Sequence, residues 1–335
     1  MSFNITAIDY YLPDDIVTNS DLKKENPEWD LDSVEKKSGI LERHIARQDE
    51  TALDLAFEAC HKLFDQYDND VRNIDAVIFC TQSPDHIMPP NSYLLQKRLG
   101  LSEKIIAYDF NLACSGYIYS LSMAHSLIYS SLASKVLLIN ADTYSKYINP
   151  KDRSTRVLFG DGAAATIVEK NDGRGMIDVA FSSDGSSYNC FYIPAGGCRL
   201  PRSPATNKEE KDSKGNVRTQ NDIYMDGLSV WAAINSKVPR QIKSLLQKNN
   251  ISIDGIDHFF FHQASKMTLD SLIKVLAIDK NKVFTNLTNK GNTVSASIPI
   301  AIKDALQAGI LKRGDLLLLS GFGVGMSYAT MLIKY

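Results

Sequence analysis

The chain lacks an excess of charge of either sign: 37 lysines and arginines stand against 39 aspartates and glutamates, a net charge of −2. That balance excludes a general affinity for nucleic acid or an anionic membrane, so any basic contact surface is local. No apolar run approaches the roughly 18 residues of a membrane span, and Met1 to Leu12 lacks a basic segment followed by an apolar core. The five cysteines, Cys60, Cys80, Cys114, Cys190 and Cys198, include no Cys-x-x-Cys pair, which removes the usual zinc and dithiol motifs. An odd count without a framework fits a reducing cytosol, and the expectation is a soluble, cytoplasmic chain. What is present, 335 residues with 44% hydrophobic and 23% charged, suits a globular enzyme of about two domains.

One thiol stands out. Cys114 lies in Asp109-Phe110-Asn111-Leu112-Ala113-Cys114-Ser115-Gly116, between an apolar strand, Lys104 to Phe110, and a helical apolar pattern from Tyr117 to Leu132. Free N–H groups and the positive end of a helix dipole favour a thiolate, lowering its pKa from about 8.5. Ala113, Ser115 and Gly116 leave room for a substrate. On local context alone, a covalent catalyst and a small residue packing helix on sheet both remain open.

The chain also repeats itself. Ile74-Asp75-Ala76-Val77-Ile78-Phe79-Cys80-Thr81-Gln82-Ser83 aligns with Ile256-Asp257-His258-Phe259-Phe260-Phe261-His262-Gln263-Ala264-Ser265, each a strand entering a polar turn. The same spacing sets Ala113-Cys114-Ser115 on Ser295-Ala296-Ser297, and Phe159-Gly160-Asp161-Gly162 matches Phe322-Gly323-Val324-Gly325 in the same order. Extra loop-like residues of the first half fall at Ala141 to Leu158.

Strands are expected at 76–81, 105–110, 136–141, 163–170, 258–262, 282–284, 316–320 and 327–333, and helices at 51–67, 92–99, 115–132, 228–248, 268–276 and 298–308. The alternation implies two related α/β halves, 1–172 and 173–335, each a mixed sheet covered by helices. The polar stretch 196–222 buries little apolar area and reads as a surface insertion or lid. In the second half, His262 ends an apolar strand and Asn292 lies in a small-residue loop opening a helix. If strand ends of the two halves converge, both face Cys114; standing alone, each is a core histidine or a turn residue.

Together Ala-Cys114-Ser-Gly, His262-Gln-Ala-Ser, Gly-Asn292-Thr-Val-Ser-Ala-Ser-Ile-Pro and the two Phe-Gly-x-Gly turns resemble the β-ketoacyl-[acyl-carrier-protein] synthase III family, with Gly39-Ile40-Leu41-Glu42-Arg43-His44 similar to a further family segment. The resemblance runs end to end. It implies a thiolase-like five-layer αβαβα fold and a homodimer. It also implies a decarboxylative Claisen condensation: Cys114 takes an acyl group from a thioester, backbone N–H groups of Cys114 and Val324 hold the oxyanion, and His262 and Asn292 donate to a malonyl thioester as carbon dioxide leaves. The substrates are acyl-CoA or acyl-carrier-protein thioesters, with no metal or other cofactor and an acyl carrier protein as partner.

Departures from the family pattern concern the substrate. Ser33 and Lys37 stand where the family clamps an adenine with tryptophan and arginine, whereas Arg153 matches a family arginine. Met267, beside Lys266, replaces an arginine that docks the carrier; Met88 replaces a phenylalanine offered across the dimer; and Val324 replaces the middle glycine of the oxyanion turn. These changes allow a specialised lipid, glycan or secondary-metabolite pathway. Three rival functions arise. A hydroxymethylglutaryl-type synthase needs a glutamate in Thr81-Gln82-Ser83, and Gln82 moves no proton. An acyltransferase would pass the acyl group to an amine or hydroxyl, with His262 as base. A non-catalytic partner subunit would be expected to have lost one of the three chemical positions.

Overall fold

The computed structural model describes residues 2–67, 73–171 and 175–335. Its central strands are buried on both faces, and neighbouring side chains serve different cores. In Ala76–Cys80, Ile78 packs inward between two sheets while Val77 and Phe79 pack outward under a helix. In His258–Phe261, Phe260 points inward while Phe259 and Phe261 point outward. The period-2 alternation of side chains makes one apolar run fill two layers at once.

Two sheets result. The first orders its strands Ser2–Tyr11, Gly162–Asn171, Lys135–Asp142, Ala76–Cys80 and Ile106–Phe110, with the last three parallel. The second orders Gly175–Ser183, Ser327–Lys334, Leu316–Gly323 and His258–Phe261, with the last two parallel. The second sheet thus repeats the first without its fifth strand. Helices Gly116–Tyr129 and Ser297–Gln307 lie between the sheets, sharing one core with both. Helix Ala52–Tyr67 covers the outer face of the first sheet, and helices Gly227–Lys248 and Lys266–Leu276 cover that of the second. The layers therefore run αβαβα, as expected.

The expected strand at 282–284 is a correction. Only Val283 bridges to Phe259, because Lys280–Lys282 winds into a 3₁₀ turn capped by Asp279 and the Gln263 amide takes the Phe284 carbonyl. Two further strands, Ser2–Tyr11 and Gly175–Ser183, and the short helices Asn19–Glu25 and Leu31–Ser38 lie where the sequence reading marks no element. The division expected at 172/173 falls outside the described residues.

The 196–222 stretch lies on the surface and carries the two-stranded ribbon Glu210–Lys211 with Val217–Arg218. It is tied down by Arg218, which pairs with Asp152 at 3.1 Å and Asp212 at 2.9 Å. Among the described residues no helix is long and apolar enough to cross a membrane.

Candidate active site

Cys114, His262 and Asn292 line one cavity of about 300 Å³, beside Phe322 and Gly323. Each is set there by the chain around it. Cys114 precedes helix Gly116–Tyr129, whose first residue packs on the sulfur of Cys80, so only a glycine lets that helix seat on the sheet. From the other side the strand Leu316–Gly323 closes on the nucleophile: a Cβ on Gly323 would stand 2.9 Å from Cys114 Sγ.

His262 follows its strand directly, and its N–H donates to the Ser320 carbonyl at 2.9 Å. The ring meets Phe322 edge-on at 5.6 Å, and its Nδ1 lies 2.7 Å from Ser297 Oγ. The Gln263 N–H also reaches that oxygen, at 3.4 Å, and the hydroxyl hydrogen is assigned to Nδ1. On this assignment the neutral ring carries its proton on Nε2. Asn292 is pinned by its backbone, N–H to Leu158 at 2.8 Å and carbonyl from Gly160 at 3.0 Å. Its Oδ1 accepts from Val294 N–H at 3.0 Å, so its NH₂ is the group left to donate.

The electrostatics revise one expectation. Burial pushes the Cys114 thiol up, and the nearby Asp142 carboxyl adds to the rise; the backbone N–H of Cys114 itself opposes them. Loss of water around the anion favours the neutral thiol, in opposition to the thiolate that the helix start favours. Burial also lowers His262 to about 3, which keeps the imidazole neutral. Asp142 is raised to about 7 by burial, against hydrogen bonds from Gln82 N–H at 2.8 Å and Ser295 Oγ at 2.7 Å.

The backbone N–H groups of Cys114 and Val324 enter no turn or loop hydrogen bond among the described residues. Val324 is half-buried and packs on the apolar cluster that holds Cys114. At the cavity mouth stand Lys37, Arg153 and Met267. Lys266, Ser33 and Met88 do not line it: Lys266 pairs with Asp270, the Ser33 N–H is taken by Asp30, and Met88 projects from an exposed loop. The sequence reading omits Trp231, which lines the cavity with its indole N–H buried and unpartnered among the described residues. Its place on the apolar stripe of a helix disguises it as core. Among those residues no cluster of three or more His, Cys, Asp or Glu is placed to hold a metal ion.

Comparison with known proteins gives a consistent result. The family model for 3-oxoacyl-[acyl-carrier-protein] synthase III matches residues 108–185, and that for its C-terminal part matches 246–335. The chain is 37% identical over 336 residues to a β-ketoacyl-[acyl-carrier-protein] synthase III of Campylobacter fetus, covering 99% of this chain and 98% of that one. It is 33% identical over 338 residues to that of Fusobacterium nucleatum, covering 100% and 99%. Among solved structures, a 3-oxoacyl-(acyl-carrier-protein) synthase III is 41% identical with a TM-score of 0.98, each chain fully covered. The Thermus thermophilus synthase III is 34% identical with a TM-score of 0.88 over 99% of both chains.

Proposed function

Because the chain belongs to the β-ketoacyl-[acyl-carrier-protein] synthase III family of the thiolase superfamily, a family of acyl-transferring condensing enzymes, we propose that Cys114, His262 and Asn292 carry its decarboxylative condensation. The observation that carries this reading is their convergence on one cavity, with one donor left on each of His262 and Asn292.

Cys114 attacks the carbonyl of an acyl thioester. Its proton leaves on the departing thiolate, which is released as a thiol, while His262 keeps its Nε2–H for the next step. The N–H groups of Cys114 and Val324, which enter no turn or loop hydrogen bond among the described residues, receive the oxyanion. A malonyl thioester follows. Nε2–H of His262 and the NH₂ of Asn292 donate to its carbonyl oxygen as carbon dioxide leaves and charge gathers there. The carbanion then attacks the acyl carbonyl on Cys114, releasing a β-ketoacyl product and the thiol.

We assign Lys37, Arg153 and Met267 to the thioester carrier, since they stand at the mouth, and Lys266 to the same rim. An acyl carrier protein is the partner suggested by the names of the relatives. A homodimer is supported by the outer edge of strand Ile106–Phe110, which pairs on one side only among the described strands, and by exposed Ile87 and Met88. Five free cysteines support a cytoplasmic setting. We treat 1–172 and 173–335 as the two halves, with 196–222 a candidate lid on the second.

Replacing His262 by Ala tests the division of roles. Malonyl decarboxylation should fall about 10²–10³-fold and acylation of Cys114 far less; equal loss of both would contradict it.

A further inference from the structure

A second cavity, of about 260 Å³, lies next to the first. It shares Phe191 with the first, and Val324, which follows the glycine packed on Cys114 Sγ, forms part of its wall. Tyr144 and Ile223 of its lining pack in the same apolar cluster as Cys114. Cys114 itself lines only the first cavity, so a group carried on its sulfur would reach this space past Val324 and Phe191.

Phe191, Ile193, Ile223 and Val324 make the apolar part of its wall, and a hydrogen-bonded polar network is set among them. Gln82, Asn111, Tyr144, Tyr147 and Tyr192 line it, with no lysine or arginine among the described lining residues. The Tyr144 hydroxyl donates to Gln82 Oε1, and Gln82 Nε2 donates to Asn111 Oδ1 at 2.7 Å. The chain is held from behind, because Gln82 N–H is fixed by Asp142 at 2.8 Å. With the amides so oriented, Asn111 keeps its NH₂ and Gln82 keeps one hydrogen; with both amides turned over, Asn111 keeps an oxygen and Tyr144 its hydrogen. Asn111, at the surface, keeps its water, but either way the network leaves one inner hydrogen, on Gln82 or on Tyr144, that an aliphatic chain would strip of water without replacing it. The absence of a cation in the wall disfavours a carboxylate. A hydroxyl or keto oxygen meets both requirements.

We propose that the acyl group carried on Cys114 bears a neutral hydrogen-bonding oxygen, a hydroxyl or keto group, held by Gln82 and Asn111. This rests on the acyl-Cys114 reading above. In the step concerned, the Cys114 S–C bond forms as the donor thioester C–S bond breaks, and the thiol proton leaves on the released coenzyme A.

The test compares acylation by 3-hydroxybutyryl-CoA and butyryl-CoA, matched in chain length, followed by intact mass over time. The wild type should prefer the hydroxyacyl donor about tenfold or more in kcat/KM. Both Gln82→Leu and Asn111→Ala should bring that ratio toward one; Asn111 is at the surface of the chain, so its variant guards against a folding failure at Gln82. Equal use of the two donors by the wild type, a preference for butyryl-CoA, or a ratio unmoved by both variants would overturn the proposal. Labelling by acetyl-CoA but by neither four-carbon donor would overturn it and leave acyl-Cys114 standing. Labelling by none of the three would overturn both.

Discussion

His262 Nδ1 lies 2.7 Å from Ser297 Oγ, and with that hydroxyl donating to Nδ1 the ring proton sits on Nε2. With Nδ1 accepting, Nε2–H is the donor that a developing enolate oxygen requires. Replacing Ser297 by Ala frees the tautomer without touching the substrate. Malonyl decarboxylation should drop about tenfold, with acylation of Cys114 changed less, and Ser297→Thr, which restores the hydroxyl, should recover part of the loss. Steady-state rates of the two half-reactions measure this.

Gly323 is constrained by the sulfur. An alanine there would bring its Cβ to 2.9 Å from Cys114 Sγ, inside any normal contact. The side chain of Cys114 must rotate away or the turn must shift, at a cost of about 1–3 kcal/mol. Gly323→Ala should therefore fold, with a modestly lower melting temperature, and acylate at least about a hundredfold more slowly.

Asp142 carries a pH signature. Its folded pKa, about 7, exceeds that of a free carboxyl, so between about 4 and 7 the folded state holds more protons than the unfolded one. Its contribution to stability is therefore full at low pH and lost as pH rises through 7. His262, lowered to about 3, acts oppositely: the unfolded ring binds a proton below about 6.5, so its contribution is lost as pH falls from 6.5 toward 3. The melting temperature of Asp142→Asn should gain on the wild type as pH is raised from about 4 to 7; a constant offset would contradict the shift.

The Arg218 pair anchors the surface ribbon to the residue that caps helix Arg153–Arg156. Asp152 is fully buried, and its carboxylate meets Arg218 Nε at 3.1 Å. Arg218→Ala leaves that charge unpaired and should cost about 3 kcal/mol or more. Because the same short helix presents Arg153 at the cavity mouth, KM for the thioester should rise more than kcat falls.

The sequence exposed the site more fully than the scaffold. Cys114, His262 and Asn292 each lie in a short polar motif beside a strand or helix end, where buried apolar runs stop and chemistry becomes visible. Strand Ser2–Tyr11 was hidden because a register shift between Ile5 and Ala7 breaks its alternation: Phe3, Ile5 and Ile8 share the inner core while Ala7 packs on the outer one. Gly175–Ser183 was hidden for a similar reason, lying at a sheet edge with Ile177 and Phe181 exposed. The state of the thiol was not legible either, because desolvation depends on what packs around Cys114 from distant segments such as Leu316–Gly323, and local sequence records only the helix start. Ser297 stood within a recognised motif, but its bond to His262 spans the gap between two elements.

In the proposed division of roles, Cys114 carries the acyl group and His262 and Asn292 act afterwards. Intact-mass analysis of the wild type, Cys114→Ala and Asn292→Ala, after exposure to acyl thioesters and then to a malonyl thioester, tests it most directly. The wild type should gain one acyl mass and lose it on malonyl addition; Cys114→Ala should gain none. Asn292→Ala should gain the acyl mass and shed it about 10²–10³-fold more slowly. An acyl mass retained in Cys114→Ala, or an Asn292→Ala protein that discharges at the wild-type rate, would contradict the account.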